Sequence, residues 1–221
     1  YVNKKYPDYK AENTLDDAEK KAVFKNIGAM IGHRLSGTVI FSGTNIVISS
    51  RLGLEPLGVY NNYFYIVNSL IAIISVVYTA LTAGIGNNIV TGDVNKNYAD
   101  FKTLTFVNVW MVGWMSVTLL CLFQHFMRIW MGGDESKILG DSSAFLFAVL
   151  LYLWKFKDIL TTYKDAAGMW KNDFFKPYAV AAITLILAEL LIKPMGVNGA
   201  VVAMIAGVFA VSMPWETHAF F

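Results

Sequence analysis

The sequence predicts an all-α polytopic membrane protein with six transmembrane helices. Three observations predict it. Hydrophobic residues make up 56% of the chain and charged residues 15%, where ordinary globular domains hold about 45–50% and about 25%. Six apolar runs approach the roughly 20 residues that a helix needs to cross the hydrocarbon core of a bilayer. Lysine and arginine alternate in density between the connecting segments, as they do when successive loops face opposite sides of a membrane. The mean hydropathy of +0.48 agrees with this class.

The elements follow in order. Residues 1–26 read as a cytoplasmic loop with an amphipathic lead-in, because they are rich in charge and hold no short apolar core behind a basic start. Residues 27–221 read as a six-helix transmembrane unit. Its first span covers about 27–50, "NIGAMIGHRLSGTVIFSGTNIVIS", and its second about 60–88, centred on "YIVNSLIAIISVVYTALTA". The third is "LTFVNVWMVGWMSVTLLCLF", 104–123. The fourth starts at Ser143, is apolar only to Trp154, and then meets Lys155, Lys157 and Asp158. The fifth covers about 178–193 and the sixth about 197–213. Pro56, "GGD" at 132–134 and "KPMG" at 193–196 mark tight turns. The chain opens at Tyr1 and closes on "AFF", and is expected to be an interior stretch of a longer protein.

Cationic residues set the orientation. The segment before the first span and the 91–102 and 155–177 loops hold thirteen lysines, among them Lys4, Lys5, Lys10, Lys96, Lys102, Lys164, Lys171 and Lys176. The other connections hold four cations: Arg51, Arg128, Lys137 and Lys193. The positive-inside rule therefore places the first group in the cytoplasm. Trp130 and Trp170 fall near span ends, where an interfacial aromatic belt would place them.

Several classes are excluded by what is missing. The single Cys121 allows no disulfide framework and reads as a small apolar filler. No basic arm interleaved with aromatics is present, so no nucleic-acid partner is expected. His33, His125 and His218 lack metal-ligand spacing, and no HExxH, GxSxG or P-loop occurs. No cofactor and no enzymatic activity are expected. Asp158, Asp165 and Asp173 are interleaved with lysines, a pattern that fits either a solvated loop or an intracellular clamp.

The first two spans carry polar stripes. At 100° per residue, Arg34, Thr38, Ser42, Asn45 and Ser49 fall within about 80° of arc, while Leu35, Val39 and Ile46 face elsewhere. In the second span Asn61, Tyr65, Asn68, Ser75, Thr79 and Thr82 fall within about 100°. Hydrocarbon cannot satisfy such groups, and two adjacent stripes point to a shared water-accessible cavity. Interhelical hydrogen bonding is the competing explanation for any one of them. Asn108 in the third span reads as an interhelical hydrogen bond. Arg34 lies about seven residues into its helix; its fork would suit a phosphate, or its stem would snorkel to the interface. Glu189 is a second intramembrane charge, open to pairing, packing or transport.

Four stretches resemble the second half of a bacterial polysaccharide flippase of the Wzx type, in the multidrug/oligosaccharidyl-lipid/polysaccharide exporter superfamily. "YPDYKAENTLDDAEKKAVFKNIGAMIGHRLSGTVIFSGTNIVIS" resembles the loop and seventh helix of such proteins, and "LGLEPLGVYNNYFYI" the entry to the eighth. "TYKDAAGMWKNDFFKPY" resembles the loop between the tenth and eleventh helices, and "IKPMGVNGAVVAMIAGVF" the turn into the twelfth. The resemblance covers nearly the whole chain. The family often has Asp before the Asn of "DNIIIS", where Thr44 precedes Asn45 here, and a basic residue after Asp173, where Phe174 stands here.

The resemblance implies a six-helix lobe of a two-lobe exporter fold, with an N-terminal lobe of the same protein as partner. It implies a multi-pass protein of the bacterial cytoplasmic membrane that flips an undecaprenyl-diphosphate-linked oligosaccharide by alternating access. A lipid-linked oligosaccharide and membrane lipid would be its other partners. A small-molecule antiporter of the same superfamily, or a membrane enzyme of polysaccharide assembly, are the alternatives. The charge asymmetry generates the first prediction. In a Cys121→Ser background, a cysteine at position 137 should react with an impermeant thiol reagent added outside, and cysteines at 96 and 164 should not. The opposite pattern overturns the orientation.

Overall fold

The computed structural model describes residues 16–169 and 174–220, without the side chains of Ala22, Ala29, Arg34, Ala219 and Phe220. Trp170, Lys171 and Asp173 and the first fifteen residues lie outside the described part. No strand occurs among the described residues. Helix α1 is Asp17–Leu52, α2 Leu54–Thr91, α3 Val94–Trp130, α4 Asp141–Phe156, α5 Asp158–Ala166, α6 Lys176–Met195 and α7 Val197–Ala206. A π-helical stretch, Gly207–Ser212, joins α7 to α8, Met213–Phe220.

Local chemistry explains the boundaries. Helix α1 opens with a capping box, in which the Asp16 side chain accepts from the Glu19 N–H and the Asp16 N–H donates to Glu19 Oε2 (3.1 Å); the Asp17 N–H also donates to Asp16 Oδ1 (2.7 Å). The described part of the expected lead-in, residues 17–26, is thus helix continuous with the first span. Gly53 alone separates α1 from α2, at φ +97°, in the left-handed region that favours glycine. The turn is made by Gly53, and Pro56 sits inside the first turn of α2. Asp93 caps α3 by accepting from the Asn95 N–H (3.1 Å) and the Lys96 N–H (3.4 Å).

Among the described residues, four helical runs are long and apolar enough to cross a membrane: Leu54–Thr91, Val94–Trp130, Lys176–Met195 and Val197–His218. The other two expected spans differ from them. Helix α1 has the length, but its polar stripe and Arg34 dilute its apolar character. Helix α4 has 16 residues, about 24 Å at 1.5 Å per residue, which is short of a hydrocarbon core of about 30 Å. Conversely, α1, α2 and α3 have 36, 38 and 37 residues, about 54–57 Å each, and reach well beyond such a core.

The apolar core gathers towards one end of the bundle. Tyr60, Tyr63, Phe64, Phe123 and Phe147 stack there with ring centroids 5.0–6.1 Å apart. The Tyr63 hydroxyl donates to Gln124 Oε1 (2.8 Å) and accepts from the Leu139 N–H (3.1 Å). Gln124 Nε2 in turn donates to the Leu139 carbonyl (2.6 Å). Ser143 donates to Asn198 Oδ1 (2.6 Å), tying α4 to α7. Glu189 pairs with Arg51, joining α6 to the end of α1. Cys121 is exposed on α3 and fills no core position.

Helices α6 and α7 form a tight hairpin through Gly196, at φ +58°. A Cβ on Gly199 would overlap the Leu191 carbonyl and lie 2.8 Å from the Ile192 nitrogen. Both are backbone atoms, which cannot step aside as a side chain would. Gly199→Ala is expected to cost about 1–3 kcal/mol, as overpacking of a close contact does. A lowered Tm of the detergent-purified protein checks this; an unchanged Tm overturns it.

Candidate functional site

The expected stripe residues all lie on described helices, in varied surroundings. On α1, Thr38 and Ser42 are exposed, Asn45 and Ser49 are half-buried, and the Arg34 side chain is outside the described part. On α2, Tyr65, Asn68 and Thr79 are exposed, while Asn61, Ser75 and Thr82 are half-buried. Several hydroxyls are satisfied within their own helix. Ser75 donates to the Ile71 carbonyl, Thr79 to Ser75 and Thr82 to Tyr78, each at 2.8 Å. Such back-bonding lowers the cost of a hydroxyl in an apolar setting. Val39 and Ile46 are exposed at 49% and 65%, so they face outward from the bundle.

The structure brings Ser75, Thr79 and Thr82 together at one cavity of about 690 Å³. Thr161, Thr162, Lys164 and Asp165 from α5 line it with them, as do Met30 and His33 from α1. Thr38, Ser42, Asn45 and Ser49 are not among its lining residues. Thr44, where the resemblance expects Asp, is fully buried, and its hydroxyl has no hydrogen-bond partner among the described residues.

The charged segment after α4 departs most from the loop reading. It folds into α5, which buries Ile159, Thr162, Tyr163 and Lys164. Lys155, Lys164 and Lys176 are only 2–5% exposed. Buried ammonium groups need partners. Lys155 Nζ donates to Asp158 Oδ2 (2.6 Å) and Ser75 Oγ (3.0 Å), and lies 5.9 Å from the centre of the Tyr78 ring. Asn108, 3% exposed, donates through Nδ2 to the carbonyls of Phe156 (2.9 Å) and Lys155 (3.4 Å), and accepts from the Tyr78 hydroxyl. The interhelical role expected of Asn108 is what it performs. Of the two readings, clamp and solvated loop, the burial supports the clamp.

Glu216 completes the cluster. It is 2% exposed, and its Oε1 accepts from Lys176 Nζ (2.5 Å), Thr161 Oγ1 (3.2 Å) and Lys157 Nζ (3.4 Å). A smaller cavity of about 210 Å³ is lined by Lys157, Lys176 and Glu216. It shares His33 and Thr161 with the larger one. The π-helical stretch aims Glu216 here. Met204, Val208, Ser212 and Glu216 are all buried. A spacing of four drifts by about 40° per step in an α-helix, and the wider i→i+5 turn offsets that drift. The approach is close: a Cβ on Gly207 would overlap Thr184 Oγ1.

Sequence reading missed Lys155, Lys157, Lys164, Lys176 and Glu216 as site residues. One signal was present, since Lys157, Thr161 and Lys164 follow i, i+4, i+7 spacing on one helical face. Glu216 had none, because the sixth apolar run ends before it.

Asp165 lies beside this cluster with Lys164, Lys176, Glu216 and Lys157 as its charged neighbours. Burial pushes its carboxyl up to about 6, partly offset by the lysines. Its stabilising contribution is therefore full below the ordinary value near 3.8 and is lost as pH rises through about 6. The Tm of the wild type relative to Asp165→Asn is expected to fall between pH 4 and 7. A pH-independent difference overturns this assignment. Comparison of the chain with protein-family models, curated proteins and solved structures finds no match.

Proposed function

We propose that the chain is one six-helix lobe of a transporter that flips a diphosphate-linked oligosaccharide across a bacterial cytoplasmic membrane. The cavity of about 690 Å³ at the lysine-rich end of apolar helices carries this reading. Its hydroxyls, from Ser75, Thr79, Thr82 and Thr161, suit the hydrogen-bonding groups of sugars. Lys164 on its wall, and the neighbouring Lys157 and Lys176, suit phosphate oxygens. The lipid tail would stay in the bilayer. A second lobe would face Thr38, Ser42, Tyr65 and Asn68, exposed polar positions that hydrocarbon cannot satisfy. Arg34 would meet the incoming diphosphate; because the helix begins at Asp17 rather than near residue 27, it stands midway along α1, next to His33 of the cavity wall. Movement would be alternating access, with the cavity end opening first towards the cytoplasm.

Proteoliposomes containing the full-length protein and a fluorescent undecaprenyl-diphosphate oligosaccharide test the reading. Lys164→Gln and Arg34→Ala should each slow flipping by about tenfold or more at equal insertion, the scale of one lost charge-assisted hydrogen bond. Arg34→Lys should rescue only in part, because it keeps the charge and loses the fork. Undiminished flipping by Arg34→Gln and Lys164→Gln overturns the diphosphate role.

A further inference from the structure

We propose that Glu216 is an internal stand-in for the phosphate: it latches the lysine-rich end shut until an incoming diphosphate displaces it. The inference rests on the phosphate-carrier reading above. Its geometric basis is the convergence of three donors from two other segments on one carboxylate oxygen. Lys157 and Thr161 come from the α4–α5 junction and α5, and Lys176 from the first turn of α6. Two ammonium groups and a hydroxyl are the donors that a phosphate oxygen would recruit. The carboxylate thus sits where a phosphate would, and its position on α8 pulls three elements together.

The latch is strong while intact and replaceable when an anion arrives. Glu216 is 2% exposed, and the Lys157 and Lys176 side chains are 12% and 6% exposed. Removing the carboxylate alone would take a shared acceptor from two ammonium groups in a poorly solvated place, and so loosen the hold of α8 on α5 and α6. Glu216 Oε2 is buried without a hydrogen-bond partner among the described residues, so the carboxylate holds the clamp through one oxygen. A diphosphate brings more charge and more acceptor oxygens to the same donors. The two cavities share His33 and Thr161, which gives it a route from the larger space to the latch. Once displaced, α8 is freed from α5, and the π-helical stretch just before it is the point where the helix can bend.

The test reads opening directly. In the full-length Cys121→Ser protein, Thr162→Cys places a reporter that is 6% exposed on the buried side of α5. Ala144→Cys, 2% exposed in the distant aromatic core, monitors the fold. An impermeant thiol reagent is added to the cytoplasmic face of inverted vesicles. Glu216→Gln and, independently, Lys157→Gln should speed labelling at 162 by about tenfold or more and leave 144 protected. Inorganic pyrophosphate, and separately undecaprenyl diphosphate in the vesicle lipid, should speed labelling at 162 in the parent and add little in Glu216→Gln. Response to the lipid alone identifies the headgroup as the trigger; response to both identifies the diphosphate itself. Unchanged labelling in both variants, or equal acceleration at 162 and 144, overturns the latch. Acceleration by the variants with no response to either diphosphate overturns instead the phosphate-carrier reading and the displacement step.

Discussion

An ammonium group in an apolar interior must be paired, and this requirement shapes the lysine-rich end of the molecule. Lys155, Lys164 and Lys176 are buried where the helices leave the apolar region. Each needs acceptors within reach; α4 ends at Lys157, and α5 follows directly, packing Ile159 and Tyr163 against Ile85 of α2 and Phe101 of α3. At the break, Asn108 from α3 donates to the carbonyls of Lys155 and Phe156. The cost of the break is thus met by a residue on another helix. Glu216 supplies the acceptor that the lysines of two further elements share. The arrangement of the helices at this end follows from partnering the cations.

The two ends of the bundle differ because their residues solve different problems. At the far end, interdigitated aromatic rings fill space, and the tyrosine and glutamine among them satisfy one another and the Leu139 backbone. At the lysine-rich end, paired charges and hydroxyls line two cavities.

The apolar helices and their order were legible in the sequence because apolar runs, "GGD" and "KPMG" report on local forces alone, whereas α5 lay in a segment read as loop. The extension of α1 to Asp17 was written in Asp16 and Glu19, a capping pair easily taken for ordinary loop charge. The clamp was half legible. Its lysines and Asp158 were visible, but whether they faced water depended on α8, more than forty residues further along. No periodicity within 155–177 could reveal Glu216 as their shared acceptor. The α1 stripe shows the opposite limit. Thr38 and Ser42 are exposed, but so are Leu35, Val39 and Ile46 on the other faces, and helical phase cannot say what covers any of them.

The π-helical stretch at Gly207–Ser212 gives the protein an unusual genetic tolerance. Met204 and Glu216 are both buried, twelve positions apart. In an ordinary α-helix twelve steps would advance about 1200°, about 120° past three full turns, whereas eleven steps would advance about 1100°, about 20° past. Loss of one codon in the stretch would let i→i+4 pairing close over the gap and leave the Glu216 carboxylate on nearly the same face. Gain of one codon there would turn α8 away from Lys157 and Lys176, although every residue of the cluster remained present.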